Sequence, residues 1–237
     1  MFVIYSSAFE EAVKGQYRPA KVGESFGPTW STHWFKVAIE VSKDFESEEV
    51  WLLFDSSSEA LIWSTDGVPL QGLTGGDVGE KRIHFRLVAN AKGGETFTFY
   101  IEVACNGLFG AGQGGNGSIF PPVENRTYQL SMARLAVKNQ ASWDVHEDLE
   151  ILIGLIKDTP SDTQLAADAL YTANKIVDTF FIDRPETLQQ AHSIAKKFYA
   201  DHQMKGKAGH EIIAIGNCHI DTAWLWPYDE TKRKAAR

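Results

Sequence analysis

Trp34-Phe35-Lys36-Val37-Ala38-Ile39-Glu40-Val41 decides how the first half of the chain is read. Phe35, Val37, Ile39 and Val41 alternate with Trp34, Lys36, Ala38 and Glu40, and a period of two puts each set on one face of an extended strand. The alternation recurs further on, where Phe97, Phe99, Ile101 and Val103 interleave with Thr96, Thr98, Tyr100 and Glu102. Shorter apolar runs at 50–54, 61–63, 83–87 and 135–137 add strands, and Asp66-Gly67 between two runs is a hairpin signal. Many short strands with Gly-rich turns predict a β-sandwich, jelly-roll-like, over residues 1–141.

The pattern then changes. Leu149, Leu152, Ile153 and Ile156 recur at helical spacing, as do Leu165, Ala169, Ala173, Ile176 and Phe180, and then Leu188, Ala191, Ala195 and Phe198. Pro160 and Pro185 punctuate these stripes, and Asp162 and Arg184-Pro185 are expected near helix entries. Residues 142–208 read as a helical connector. After the polar stretch Lys205-Gly206-Lys207-Ala208-Gly209, the run Glu211-Ile212-Ile213-Ala214-Ile215 suits a strand buried on both faces of a parallel sheet. A helix start follows at Tyr228-Asp229-Glu230-Thr231-Lys232. Strand, loop and helix make residues 209–237 the expected first βα unit of an α/β barrel, truncated at Arg237 because a parallel strand needs neighbours.

Bulk properties narrow the function. The 237 residues are 43% hydrophobic and 23% charged, which suits a folded soluble chain. A net charge of −8 argues against a nucleic-acid partner, which needs a basic face. The one basic cluster, Lys232, Arg233, Lys234 and Arg237, reads as a solvated helix face. Two distant cysteines, Cys105 and Cys218, make a disulfide framework improbable. The N-terminus lacks the features of a signal peptide, and no apolar run reaches membrane-spanning length. Chance accounts for the triplets Asn116-Gly117-Ser118 and Asn125-Arg126-Thr127. A soluble protein, intracellular at synthesis and without a membrane partner, is expected.

Chemistry concentrates in Gly216-Asn217-Cys218-His219-Ile220-Asp221-Thr222-Ala223-Trp224-Leu225-Trp226-Pro227. On a strand, His219 and Asp221 would share a face, with Cys218 on the other. An imidazole nitrogen and a carboxylate oxygen are both zinc donors. The end of a barrel strand is where such sites form. The triplet by itself is a weak signal and more often marks a hydrogen-bonded His–Asp pair or simple surface chemistry, but a buried-type strand before it and two tryptophans after it favour a ligand site. Trp224 and Trp226 could each be core aromatics or, as exposed planes, platforms for sugar rings. The Gly-rich stretch 106–115 lacks the Gly-Lys-Ser/Thr of a phosphate loop and reads as a loop. Trp30, His33 and Trp34 are candidates for a carbohydrate patch, with packing the simpler reading. His84, His146, His192, His202 and His210 show no ligand spacing.

The string GNCHIDTAWLWPYDETKRKAAR resembles the start of the catalytic domain of glycoside hydrolase family 38 α-mannosidases, most of all their cytosolic and vacuolar branch. GPTWSTHWFKV, EALIWSTDGVPLQGL and EVACNGLFGAG resemble the N-terminal β domain of that branch, so the likeness runs along nearly the whole chain. It implies a retaining hydrolase of terminal α-mannose in oligosaccharides. It implies His219 and Asp221 as two ligands of Zn2+, with Co2+ the alternative ion, and Trp224 as a wall of the mannose pocket. It also implies a homo-oligomer and a cytoplasmic location, with vacuolar delivery left open. The nucleophile, a further zinc-binding His and the acid/base carboxylate are implied downstream, so no catalytic residue is assigned here and residues 1–237 alone are expected to be inactive. The competing readings are a non-catalytic carbohydrate-binding or interaction module, and a different metal hydrolase built on an amidohydrolase-type barrel. The Trp-Leu-Trp-Pro string and the β domain disfavour the latter.

Overall fold

The computed structural model describes residues 1–5, 8–76, 81–107, 123, 125–181, 183–203, 211–218 and 220–236. They form two compact units, one of residues 1–137 with 216–237, the other of residues 138–215.

The first unit is built on antiparallel sheets. The larger comprises β1 (Phe2–Tyr5), β2 (Arg18–Pro19), β4 (Thr32–Glu40), β6 (Glu59–Trp63), β7 (Pro69–Thr74) and β9 (Thr96–Ala104), in the order β2-β1-β4-β9-β6-β7. The second has β5 (Val50–Asp55) between β11 (Met132–Val137) and β8 (His84–Val88), and β3 (Ser25–Phe26) pairs with β10 (Tyr128–Gln129). The expected alternation is realised: Phe35 and Val37 of β4 and Phe99, Ile101 and Val103 of β9 are buried with Leu52 and Phe54 of β5. Register pairs Phe35 with Ile101 and Val37 with Phe99, which stacks the apolar set of the two longest strands on one face. The hairpin expected at Asp66-Gly67 joins β6 to β7. Gly67 has φ +80, and a Cβ there would lie 2.9 Å from the Phe9 ring, so both backbone and packing demand glycine.

Unlike a half-solvated sheet, the larger sheet is also covered in part on its other face. Trp34 and Tyr100 are buried there with Ala12 of α1 (Phe9–Lys14), flanked by Phe9, Tyr17 and Trp63. Trp34 is 1% exposed and serves as core, as the simpler reading of its sequence held.

The second unit is three helices: α2 (Gln140–Asp158), α3 (Gln164–Thr179) and α4 (Pro185–Asp201). Asn139 caps α2, accepting from Ser142 N–H at 3.0 Å. Thr163 caps α3, one residue beyond the expected Asp162, and Pro185 occupies the first turn of α4. The expected stripe of α4, Leu188, Ala191, Ala195 and Phe198, is buried against Ala169, Ala173 and Ile176 of α3. On α2, Leu149, Leu152 and Ile156 of the expected stripe pack into this core together with Val145, and Ile153 is 43% exposed. Asp148 is buried because His192 Nδ1 lies 2.6 Å from it and Tyr199 donates its hydroxyl at 3.1 Å.

The C-terminal stretch departs from expectation. Residues 211–218 form no strand, and Ile212, Ile213 and Ile215 are 91%, 77% and 82% exposed. The helix of the anticipated βα unit is present as α5 (Tyr228–Ala236). A parallel strand needs a parallel partner reached by a crossover, and every strand pair among the described residues is antiparallel. No described helix is long and apolar enough to cross a membrane.

Candidate functional site

The motif lies in the irregular segment between residue 216 and α5. His219 is outside the described residues. Asp221 is exposed and, among the described residues, its carboxylate makes no hydrogen bond or ion pair. Without a strand here, the argument that period two aligns the two candidate ligands has no support, and the segment's shape comes from a turn instead. Ala223 takes the left-handed conformation with φ +51, which costs a residue bearing a Cβ roughly 1 kcal/mol. Its N–H donates to Thr231 Oγ1 of α5 at 3.1 Å.

Beyond the turn, Trp224 is 45% exposed and meets Trp226 edge to face, ring centroids 5.3 Å apart. Trp226 is half-buried. Its indole N–H also donates to Thr231 Oγ1, at 3.2 Å, and the Lys234 ammonium sits 4.8 Å from its ring centroid. Leu225 between them is buried. Of the two tryptophans, Trp224 therefore offers surface to a ligand and Trp226 braces it.

α5 is in turn tied to the outer face of the larger sheet by buried charges. Arg233 Nε lies 2.9 Å from Glu102 of β9 and also pairs with Glu230 on its own helix. Lys234 pairs with Glu59 of β6, and Asn106 donates its side-chain N–H to Glu230 at 3.0 Å. Glu102 additionally accepts from the Trp63 indole at 3.2 Å. Glu59, Glu102 and Glu230 are all under 9% exposed, so these are desolvated pairs. This corrects the reading of the basic cluster as a solvated face: Arg233 and Lys234 are drawn in by two acids on the sheet, whereas Lys232 stays exposed. Sequence reasoning passed over Glu59, Glu102, Asn106 and Thr231. No alternation is broken at Glu102, which falls in the Thr96, Thr98 and Tyr100 set of β9, so the pattern alone did not mark it.

Between α1, the sheet and α5 lies an open cleft of about 660 Å³, bordered by Phe9, Trp34, Trp63, Glu102 and Arg233. It offers no free aromatic plane at Trp63, since Phe9 stacks on that ring at 5.4 Å. Elsewhere, His146, Glu147 and Glu150 bring ligand-type atoms within 4.8 Å of one another on the surface of α2. Their mutual ion pairs, 3.7 Å each, account for that grouping.

The donor set of the motif fits a zinc ion in kind. Asp221 presents an exposed carboxylate, the donor such an ion takes together with imidazole. The Gly-rich loop from residue 108 onward lies outside the described residues.

The family described as "Alpha-mannosidase, jelly roll domain" matches residues 4–136. Human alpha-mannosidase 2C1 is 45% identical over 236 residues, covering 97% of this chain and 21% of the relative. Alpha-mannosidase G of Dictyostelium discoideum is 37% identical over 231 residues, with the same coverage of 97% and 21%. Alpha-mannosidase of Saccharomyces cerevisiae is 30% identical over 247 residues, covering 98% and 22%. The chain thus spans about a fifth of the length of the curated relatives it matches. Among solved structures, a Ruminococcus gnavus β-glucuronidase aligns with a TM-score of 0.39 at 14% identity, over 59% of this chain and 28% of that one. A jelly-roll domain, a helical segment and the His-X-Asp string occur in one chain that these relatives match almost end to end: it belongs to the cytosolic branch of the glycoside hydrolase family 38 α-mannosidases and corresponds to their N-terminal portion.

Proposed function

We propose that residues 1–237 are the N-terminal part of a zinc-dependent retaining α-mannosidase that removes terminal α-mannose from oligosaccharides. The observation that carries this reading is the pairing at the motif of an exposed Asp221 carboxylate with a half-exposed Trp224, on a turn braced by α5. His219 and Asp221 would hold the ion, His219 as neutral imidazole and Asp221 ionised. When bound, zinc supplies an electrostatic template for vicinal sugar hydroxyls. Trp224 offers a ring against the apolar face of the sugar, with Trp226 fixing its orientation from behind. A retaining reaction needs two carboxyl groups about 5 Å apart. Neither is assigned within residues 1–237, and both belong to the remainder of the enzyme. The domain scheme follows: a β domain to about residue 141, a helical connector to 208, and the opening of the catalytic domain from 209.

A carbohydrate-binding role for the β domain itself has less support, because Trp34 is core and the Trp63 ring is stacked by Phe9 and met at a tilt by Trp34. The test is turnover of an aryl α-mannoside. The enzyme that contains this chain should release the aryl group in a chelator-sensitive manner, and the purified polypeptide of residues 1–237 should not. Turnover by the 237-residue polypeptide, or none by the enzyme, would refute the reading.

A further inference from the structure

We infer that Thr231 is a positioning residue for the metal-and-sugar motif, an inference that rests on the function proposed above. One hydroxyl oxygen accepts two hydrogen bonds from the segment that carries the motif, from Ala223 N–H at 3.1 Å and from the Trp226 indole at 3.2 Å. Those two donors lie on either side of Trp224, and Ala223 lies two residues past Asp221. Ala223 has the left-handed φ of +51, a conformation that alanine leaves unless something holds it. Thr231 supplies that hold, and a hydroxyl suits the task because its two lone pairs can serve two donors at once.

The anchor is itself anchored. Thr231 stands on α5 next to Glu230 and within one turn of Arg233 and Lys234, whose side chains reach Asn106, Glu102 and Glu59 of the sheet. Lys234 also lies over the Trp226 ring, so the same helix grips that indole by its face and by its N–H. A continuous path of contacts runs from β6 and β9 through α5 and Thr231 to the turn. The jelly-roll unit thereby sets where Asp221 and Trp224 stand.

The experiment uses the enzyme that contains this chain, comparing wild type with Thr231→Val, which keeps the shape and removes the acceptor, and Thr231→Ser, which keeps the acceptor. Three quantities are read: zinc remaining after dialysis against a chelator, kcat and KM for an aryl α-mannoside, and the melting temperature. The Val variant should lose zinc about 10-fold more readily and fall about 10-fold in kcat/KM, the scale typical of groups that orient metal ligands, with both kcat and KM changed. The Ser variant should recover to within about threefold, since it restores the same hydrogen bonds. A Val variant equal to wild type in zinc retention and kinetics overturns the inference, as does a Ser variant as impaired as the Val one. If the Val variant does not fold, Thr231→Ala takes its place under the same criterion. A wild-type enzyme with neither zinc nor mannosidase turnover refutes the functional reading, and the inference with it. An active, zinc-retaining wild type beside an unimpaired Val variant refutes the inference alone.

Discussion

Cys105 and Cys218 share a chemistry and differ in surroundings. Cys105 is buried in the β core, and desolvation pushes its thiol up to about 11, so it presents almost no thiolate at neutral pH. Cys218 is exposed beside the motif. Brief treatment of residues 1–237 with iodoacetamide should alkylate Cys218 alone, and Cys105 should react only after denaturation. Peptide mass spectrometry checks this, and equal labelling in the native state would contradict the packing described for Cys105. Glu102 is the second residue whose surroundings decide its role. Replacing it with Ala leaves Arg233 beside the sheet with Glu230 as its remaining named carboxylate. The expected loss is about 2 kcal/mol, below the roughly 3–5 typical of a broken buried pair, because Arg233 keeps that second partner. Denaturant titration of Glu102→Ala against Glu102→Gln reads the effect, and Gln should lose less because it retains an acceptor. Both facts escape sequence inspection for one reason: burial and pairing are tertiary, and neither a lone Cys nor an acid in a strand announces its neighbours.

At the scale of elements, legibility followed periodicity. β4 and β9 were readable because nine-residue strands repeat a period-two apolar pattern long enough to be unambiguous. α4 was readable for the same reason. On α2 the stripe was readable except at Ile153, which is exposed, whereas the inward Asp148, satisfied by His192 and Tyr199, looks polar to a hydrophobic template. The Ile212–Ile215 run, expected as a strand, forms none among the described residues, since a parallel strand needs a parallel neighbour. α5 carries the prediction at this scale. If its ion pairs to β6 and β9 hold it, amide exchange in α5 should accelerate in Glu102→Ala and in Lys234→Met, while β4 and β9 keep their protection. Unchanged exchange in α5 would mean that the pairs do not anchor the helix.

The whole molecule combines units with opposite responses to pH. His33 of the β unit is held below its ordinary 6.5 by burial, partly offset by its contact with the Gly27 carbonyl, with Arg18 and Glu24 acting in opposite senses nearby. A base depressed by folding is neutral in the folded state, so its contribution is full above 6.5 and declines as pH falls through the lowered folded value. His202 of the helical unit is raised, first by the Phe198 carbonyl and then by Asp168, 3.1 Å from its Nε2. Its contribution is full below 6.5 and is lost as pH rises through the elevated folded value. Hydrogen exchange between pH 5.5 and 8 should therefore show the β unit gaining stability with pH relative to the helical unit. His33→Asn and His202→Asn should each flatten the response of its own unit.

What the sequence disclosed of the molecule as a whole was its family and the string to which the proposed function assigns the metal. What it could not disclose was the support for that string, since Thr231, Glu102, Glu59 and Asn106 are brought to the motif by the fold and not by spacing. The most direct test of the central claim is metal content. Zinc measured in the purified enzyme that contains this chain should be one ion per chain, and His219→Ala or Asp221→Asn should abolish both the zinc and the release of mannose from an aryl α-mannoside. Either variant retaining its zinc with unchanged turnover would contradict the account.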